Sequence, residues 1–374
     1  MGYLGEGTKK LGFGLMRLPK NDGVIDVEQV KVMVDRFLEA GFTYFDTAWA
    51  YGGSEEAMKE ALIDRYPRES YTVATKLAAW IGCKSKEDAM AQFDDSLKRS
   101  GAGYFDYYLL HNLGEHRTQF FEDLDVWSFA RELKEQGKIK HLGFSFHASA
   151  EELEEILIAH PEAEFVQLQI NYADWEDNAL QSRKLYEMAR KYDKPIVIME
   201  PLKGGLLANP PKPVADIFRE ANPDAPLPSW GIRFSASLPG VITVLSGMGS
   251  VAQMEENISY MKDFVPMTEE ERAVVMKARE TLVSMPMIPC TNCNYCAKVC
   301  PMNIGISGTF TASNLYYVYD DRDKAISRHR WLVDQHDKAR ATECIHCYAC
   351  TEVCPQHIEI PDRLEECVEV LQLA

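Results

Sequence analysis

Two runs of cysteine carry the most specific chemistry in this sequence. Cys290-Thr-Asn-Cys293-Asn-Tyr-Cys296-Ala-Lys-Val-Cys300-Pro301 returns 54 residues later as Cys344-Ile-His-Cys347-Tyr-Ala-Cys350-Thr-Glu-Val-Cys354-Pro355. Both follow C-x2-C-x2-C-x3-C-P, a spacing that holds [4Fe–4S] clusters. Three closely spaced thiolates wrap one corner of a cubane, and a fourth, followed by a proline that turns the chain away, reaches a neighbouring cluster. Zinc sites use two C-x2-C pairs and have no role for a third equally spaced cysteine or for C-P. A disulfide framework belongs to small secreted chains. The two remaining cysteines, Cys83 and Cys367, read as packing residues.

A second set of reactive groups lies at the ends of short apolar runs. Asp46 and Tyr51 follow one run, Lys76 ends the next, and His111 ends the one after that. A tyrosine titrates near about 10 and is a weak acid at neutral pH. A lysine ammonium beside it would stabilise the phenolate and lower that value, and an aspartate would keep the lysine charged and aimed. A histidine would orient a carbonyl oxygen or relay the proton. Singly, each has a plainer reading: a solvated strand end, a satisfied buried histidine, a helix cap. Four at successive strand ends make a narrower coincidence.

The scaffold these groups need is written in the alternation of the chain. Strand candidates span 12–16, 44–48, 71–77, 106–111, 141–146, 165–171, 195–201 and 241–247, several continuous in apolar residues as doubly covered parallel strands are. Amphipathic stretches separate them, at 27–40, 54–64, 88–100, 120–136, 149–159, 177–192, 228–238 and 251–261, with a further helix at 268–283. Eight strand–helix units predict an α/β fold, a (β/α)8 TIM barrel over 1–284, with catalytic groups at the C-terminal strand ends. A doubly wound sheet is the rival, but no G-x-G-x-x-G follows the first strand. Met285-Pro-Met-Ile-Pro289 marks a joint. Residues 285–374 then form a small, mainly helical iron–sulfur domain, with helices expected at 312–319, 324–335 and 364–373.

The stretches GFGLMRLP (12–19), FDTAWAYGGSE (45–55), ATK (74–76), DYYLLHN (106–112), GKIKHLGFS (137–145), QINY (169–172), EPLKGGLL (200–207) and QMEEN (253–257) resemble the aldo-keto reductase family over 11–283. The resemblance implies a catalytic tetrad of Asp46, Tyr51, Lys76 and His111. It also implies reversible carbonyl reduction with NAD(H) or NADP(H), Tyr51 protonating the oxygen. It places Ser145 and Gln169 at the nicotinamide carboxamide, Leu202, Gly204 and Gly205 at the pyrophosphate, and Glu256 and Asn257 at the adenine end. Phe146 stands where the family usually has Asn, and Met199 where it usually stacks a tyrosine on the nicotinamide. Gly247, Met248 and Gln253 replace the basic residues that often meet a 2′-phosphate, so NADH is expected at least as readily as NADPH.

The cysteine domain is similar to two-cluster ferredoxins. That likeness implies one cluster on Cys290, Cys293, Cys296 and Cys354, and another on Cys344, Cys347, Cys350 and Cys300. A nicotinamide moves two electrons as hydride and a [4Fe–4S] cluster moves one, so a flavin is a candidate for splitting the pair.

Composition narrows the partners. Across 374 residues, 46% hydrophobic and 26% charged residues are those of an ordinary soluble protein. A net charge of −17 argues against nucleic acid or an anionic membrane as partner. No run approaches the about 18 apolar residues of a membrane span, and no targeting segment is visible. Eight thiols kept for iron imply a reducing cytoplasm. The reading is therefore an oxidoreductase acting on a small carbonyl or alcohol, its clusters exchanging electrons with a ferredoxin or other redox partner. Two alternatives stand beside it: an ordinary NAD(P)H-dependent reductase with a structural or sensing cluster domain, and an electron-transfer or interaction subunit whose barrel is inactive.

Overall fold

Residues 3–178, 180–319, 322–333 and 338–373 are described by a computed structural model. Eight parallel strands close into a barrel: β1 (Leu11–Gly14), β2 (Tyr44–Asp46), β3 (Thr72–Leu77), β4 (Phe105–Leu113), β5 (Ile139–Phe146), β6 (Phe165–Gln169), β7 (Ile196–Met199) and β8 (Val241–Ser246). Strand neighbours follow chain order, and β8 pairs with β1 to shut the ring. Helices on the outside and side chains within bury both faces of each strand, which is why runs such as Phe105–Leu113 are buried along their whole length.

Local signals set the outer helices. In Val27–Glu39 the side chains of Val30, Met33, Val34 and Phe37 recur at helical spacing and are buried, while Asp26 accepts from Gln29 N to cap the start. Phe37 then meets Phe13 and Phe45 at 5.8 and 5.3 Å between ring centroids, which places Phe13 in the core. Lys86–Ser100 begins on a Ser85/Asp88 capping box and stops at Gly101, whose φ of 66° is left-handed.

Several elements depart from the sequence reading, among them the helix expected at 177–192, which is Ser182–Lys191. The helix expected at 120–136 is two, Thr118–Asp123 and Val126–Glu135, broken where Asp125 takes a φ of 50°. The stretch from Ser54 continues beyond Met58 as a π-helical segment, Lys59–Ile63. Lys212–Ala221 is a helix in a stretch to which the sequence assigned no element. Pro213 sits in its first turn, where a missing N–H costs nothing, and Val214, Ala215 and Phe218 bury one face.

The chain divides into two compact units. One comprises Met1–Asp177, Gln181–Pro201 and Ile232–Met267; the other comprises Asn178–Leu180, Leu202–Gly231 and Thr268–Ala374. The second unit is mainly helical, with Glu269–Val283, Ile306–Tyr319, Arg322–Val333 and Ile360–Leu371 its longest elements after residue 268. Positions 334 and 335 of the helix expected at 324–335 lie outside the described residues. Its core joins Ile288, Ile304, Ile306, Phe310, Ile358, Ile360, Leu364 and Cys367 to Cys296 and Cys350. Cys367 is fully buried here and Cys83 is buried in the first unit, so both pack.

Candidate active site and cluster cavities

Four polar groups gather where β2, β3 and β4 end. Asp46 closes β2, and Lys76 lies one residue before the end of β3. The Lys76 ammonium donates to Asp46 Oδ1 at 2.5 Å and to the Thr47 carbonyl at 2.6 Å, both deep in the barrel. Gln167 from β6 donates to the other Asp46 oxygen at 3.2 Å. Burial pushes the Asp46 carboxyl up and the Lys76 ammonium down, each opposed by attraction to the other. The segment after β2 runs on beside β3, with Thr47 N donating to Ala74 O and Trp49 N to Lys76 O. That holds Tyr51 with its ring centroid 5.1 Å from Lys76 Nζ.

His111 reaches the same place through a break in the sheet. The β4–β5 register shifts between Leu110 and Leu113, and Asn112 takes a φ of 64°. Such a bulge re-aims the side chains around it. The His111 ring meets Tyr51 edge-to-face at 5.9 Å, and Trp80 Nε1 donates to the His111 carbonyl at 2.9 Å. Ser145 accepts from Asn112 N at 2.7 Å and so braces the bulge.

The phenol does not behave as the sequence suggests. Burial, then the charges of Asp46 and Glu200, push Tyr51 well above its ordinary value, and Arg17 only partly offsets them. Lys76 is spent on Asp46, to which its ammonium donates at 2.5 Å. Tyr51 therefore keeps its proton throughout the neutral range. Carbonyl reduction is expected to stay flat with pH from neutrality to near the ordinary phenol value of about 10. A kcat profile that falls around neutral pH would assign the proton to another group.

The candidate cofactor residues are less concentrated. Ser145 and Gln169 are buried in the first unit, Gln169 donating to Asp174 Oδ2 at 3.0 Å. Asn257 is also buried and donates to Ser246 Oγ at 2.8 Å, while Glu256 is exposed. Leu202, Gly204 and Gly205 belong to the second unit, in a tight turn where Gly204 and Gly205 have φ of 67° and 100°. The sequence reading found no cation near Gly247. The fold supplies one, because a Cβ on Gly247 would lie 3.7 Å from Arg17 Cβ. Arg17 also pairs with Glu200 at 3.2 Å. Gln167 and Glu55, 1% exposed and accepting from Thr75 at 2.9 Å, are two further buried polar groups missed at first. Their signal is a polar residue inside an otherwise apolar inward-facing pattern.

The cysteines sort themselves crosswise. Cys290, Cys293, Cys296 and Cys354 line a cavity of about 330 Å³. Cys300, Cys344, Cys347 and Cys350 line another of about 310 Å³. The chain repeats its conformation as well as its cysteines: Asn292, Asn294 and Asn303 have positive φ, and so do His346, Tyr348 and His357, their counterparts 54 residues on. Asparagine and histidine tolerate that region, whereas Tyr348 adopts it at a cost in strain, so the loop shape is being enforced. Burial, with the neighbouring thiols Cys300, Cys344 and Cys347, pushes the Cys350 thiol up to about 11. Ligation must overcome that by supplying cationic iron. Among the described residues, no three His, Cys, Asp or Glu side chains converge as a single-ion site. Four thiols around each cavity match the ligand number of a [4Fe–4S] cluster. Cys347→Ser should leave a chain with about half the iron and sulfide of the parent, one cluster surviving; loss of all iron would mean the two cavities do not fill separately.

Comparisons with known proteins agree with both halves. The profile of the "Aldo/keto reductase family" matches residues 10–280, and that of a "4Fe-4S dicluster domain" matches residues 289–359. An aldo-keto reductase of Strobilurus tenacellus is 30% identical over 73% of this chain and 89% of its own length. The holo structure of an aldo-keto reductase from Bacillus halodurans superposes with a TM-score of 0.59 at 25% identity, covering 72% of this chain and 91% of that one. One from Klebsiella pneumoniae, in complex with NADPH, shares the fold with a TM-score of 0.58 at 21% identity, over 72% of this chain and 90% of its own.

Proposed function

The chain belongs to the aldo/keto reductase family, and from that premise we propose that it reduces a small carbonyl compound, or oxidises the matching alcohol, with two [4Fe–4S] clusters carrying the electrons. The observation that carries this reading is the buried Asp46–Lys76 pair set beneath Tyr51 and beside His111 at adjacent strand ends. When bound, a nicotinamide would supply a hydride and the clusters single electrons.

The residues divide the work as follows. Tyr51 holds the proton that goes to the carbonyl oxygen. His111, fixed through its own carbonyl by Trp80, orients that oxygen. Asp46 and Lys76 hold the floor of the site rigid and dry. Ser145 and Gln169 would grip a nicotinamide carboxamide, and Leu202, Gly204 and Gly205 its pyrophosphate. Glu256 and Asn257 would lie at the adenine end, although the Asn257 amide already serves Ser246. Arg17 beside Gly247 adds a cation to a region that sequence alone left without one, so NADPH and NADH are both in scope. Flavin finds no support among the relatives named above.

Cys290, Cys293, Cys296 and Cys354 would hold one cluster, and Cys300, Cys344, Cys347 and Cys350 the other. A ferredoxin or other one-electron carrier would meet the second of these first. Its ligand loop is open to solvent, with Ile345 58% and Tyr348 39% exposed around an exposed Cys347. A net charge of −17 favours a partner with a basic face. Among the described residues no helix is long and apolar enough to cross a membrane, and a reducing cytoplasm suits the thiols.

One observation favours a second reading, an ordinary NAD(P)H-dependent reductase with a structural or sensing cluster domain. The alignment with the Bacillus halodurans aldo-keto reductase covers 91% of that chain but only 72% of this one, so the likeness holds without the rest of this chain. Anaerobic purification, iron and sulfide analysis, and visible spectra before and after NADH or NADPH separate the two. Cluster bleaching by a nicotinamide supports the first reading. Steady nicotinamide oxidation with an unchanged cluster spectrum supports the second.

A further inference from the structure

The two cluster cavities differ in what surrounds the thiols. The second is lined, apart from its cysteines, by apolar and aromatic residues such as Met302, Ile304, Ile345 and Leu364. The first includes Thr291, Asn294, Ser307 and Gln356. Polar groups and charges near a cluster set its reduction potential.

A cation is built into the edge of that first cavity. Lys203 is 3% exposed, and its ammonium donates to Gln356 Oε1 at 3.2 Å. Gln356 is itself a lining residue of the first cavity, two positions beyond Cys354. The next residue locks this contact. A Cβ on Gly204 would fall 2.6 Å from both Thr291 Cα and Thr291 O, so only glycine fits, at a φ of 67°. Thr291 also lines the first cavity and follows Cys290. Lys203 has a φ of 46°, a left-handed position that a lysine adopts only under strain. Turn and ligand segments lie in one compact unit and touch at two points, Gly204 against Thr291 and Lys203 with Gln356.

The electrostatic consequence follows from charge. A [4Fe–4S]2+ core on four thiolates carries about −2, and one-electron reduction takes it to about −3. A buried positive charge nearby stabilises the more negative state, and in a low-dielectric setting its effect is large. We propose that Lys203, braced through Gln356, raises the reduction potential of the cluster on Cys290, Cys293, Cys296 and Cys354 above that of its neighbour, so that this cluster takes the first electron. The proposal rests on the cluster assignment above and not on the carbonyl chemistry.

The test is an anaerobic dithionite titration of the reconstituted full chain, followed by electron paramagnetic resonance and without nucleotide or substrate. The wild-type chain should show two separate one-electron waves. Cys347→Ser should retain the higher one, which assigns it to the first cavity. Lys203→Met should move the higher wave to lower potential and leave the lower one in place, and Lys203→Arg should restore it. If Lys203→Met loses iron, Gln356→Leu should give a smaller shift in the same direction. Waves unchanged in Lys203→Met, or a shift confined to the lower wave, would overturn the proposal. A wild-type chain that takes up no iron would overturn the cluster assignment itself, a result distinct from failure of carbonyl turnover.

Discussion

Tyr51→Phe should lower kcat for carbonyl reduction by about 10²–10⁴-fold, the range expected when a positioned proton donor is removed. The ring should stay in place, because its contacts with His111 at 5.9 Å and with Lys76 at 5.1 Å do not involve the hydroxyl. KM should therefore change much less than kcat, the pattern of an interaction made in the transition state. Steady-state kinetics with a panel of aldehydes, beside a thermal melt, checks both halves. A variant that melts normally and turns over at the parental rate would remove Tyr51 from the chemistry.

Lys76→Met should destabilise the chain by about 3–5 kcal/mol, the cost of leaving one member of a buried ion pair alone. Asp46 would keep Gln167 at 3.2 Å but lose its 2.5 Å cation, and the Thr47 carbonyl would lose a donor. Asp46 is already pushed up by burial, and without Lys76 it is pushed further. A carboxyl whose folded pKa lies above its unfolded value binds more protons when folded, so folding gains as pH falls. The cost in Lys76→Met should therefore shrink in acid, which denaturant melts at neutral and mildly acid pH would register. Adding Asp46→Asn should recover much of the stability at neutral pH while turnover stays low. A single variant as stable as the parent at neutral pH would mean the pair is not buried as described.

Most of the barrel was legible because its cause is local. Alternating apolar runs and capped amphipathic helices fix β and α elements wherever both strand faces are covered, and Val251–Met261 falls where its pattern puts it. The crosswise grouping of the cysteines was expected only through the likeness to two-cluster ferredoxins, since spacing alone does not say which fourth thiol joins which three. What was not legible depends on packing between distant segments. Nothing around His111 announces a bulge, because the register shift arises from pairing with β5 and from Ser145 receiving Asn112 N. Gln167 acquires meaning only when β6 faces Asp46 across the barrel. Arg17 meets Gly247 because β8 closes on β1. The raised Tyr51 pKa is a product of burial and two carboxylates, Asp46 and Glu200, and the sequence reading had weighed only the lysine. The turn at Leu202–Gly205 looked like part of a nucleotide site, and its packing on Thr291 and Gln356 comes from a second unit assembled out of separated segments.

The claim that cluster electrons reach a carbonyl at Tyr51 is tested most directly by mixing the dithionite-reduced, desalted chain with benzaldehyde, in the presence of NAD+ or NADP+ and without oxygen. Reduction of an aldehyde to an alcohol takes two electrons and two protons, and two clusters hold two electrons. Wild-type protein should regain its oxidised cluster spectrum while benzyl alcohol accumulates to about one per chain, and Tyr51→Phe should form almost no benzyl alcohol on the same timescale. Clusters that stay reduced in the wild-type chain, while NADPH or NADH alone supports benzaldehyde reduction at full rate, would contradict the account.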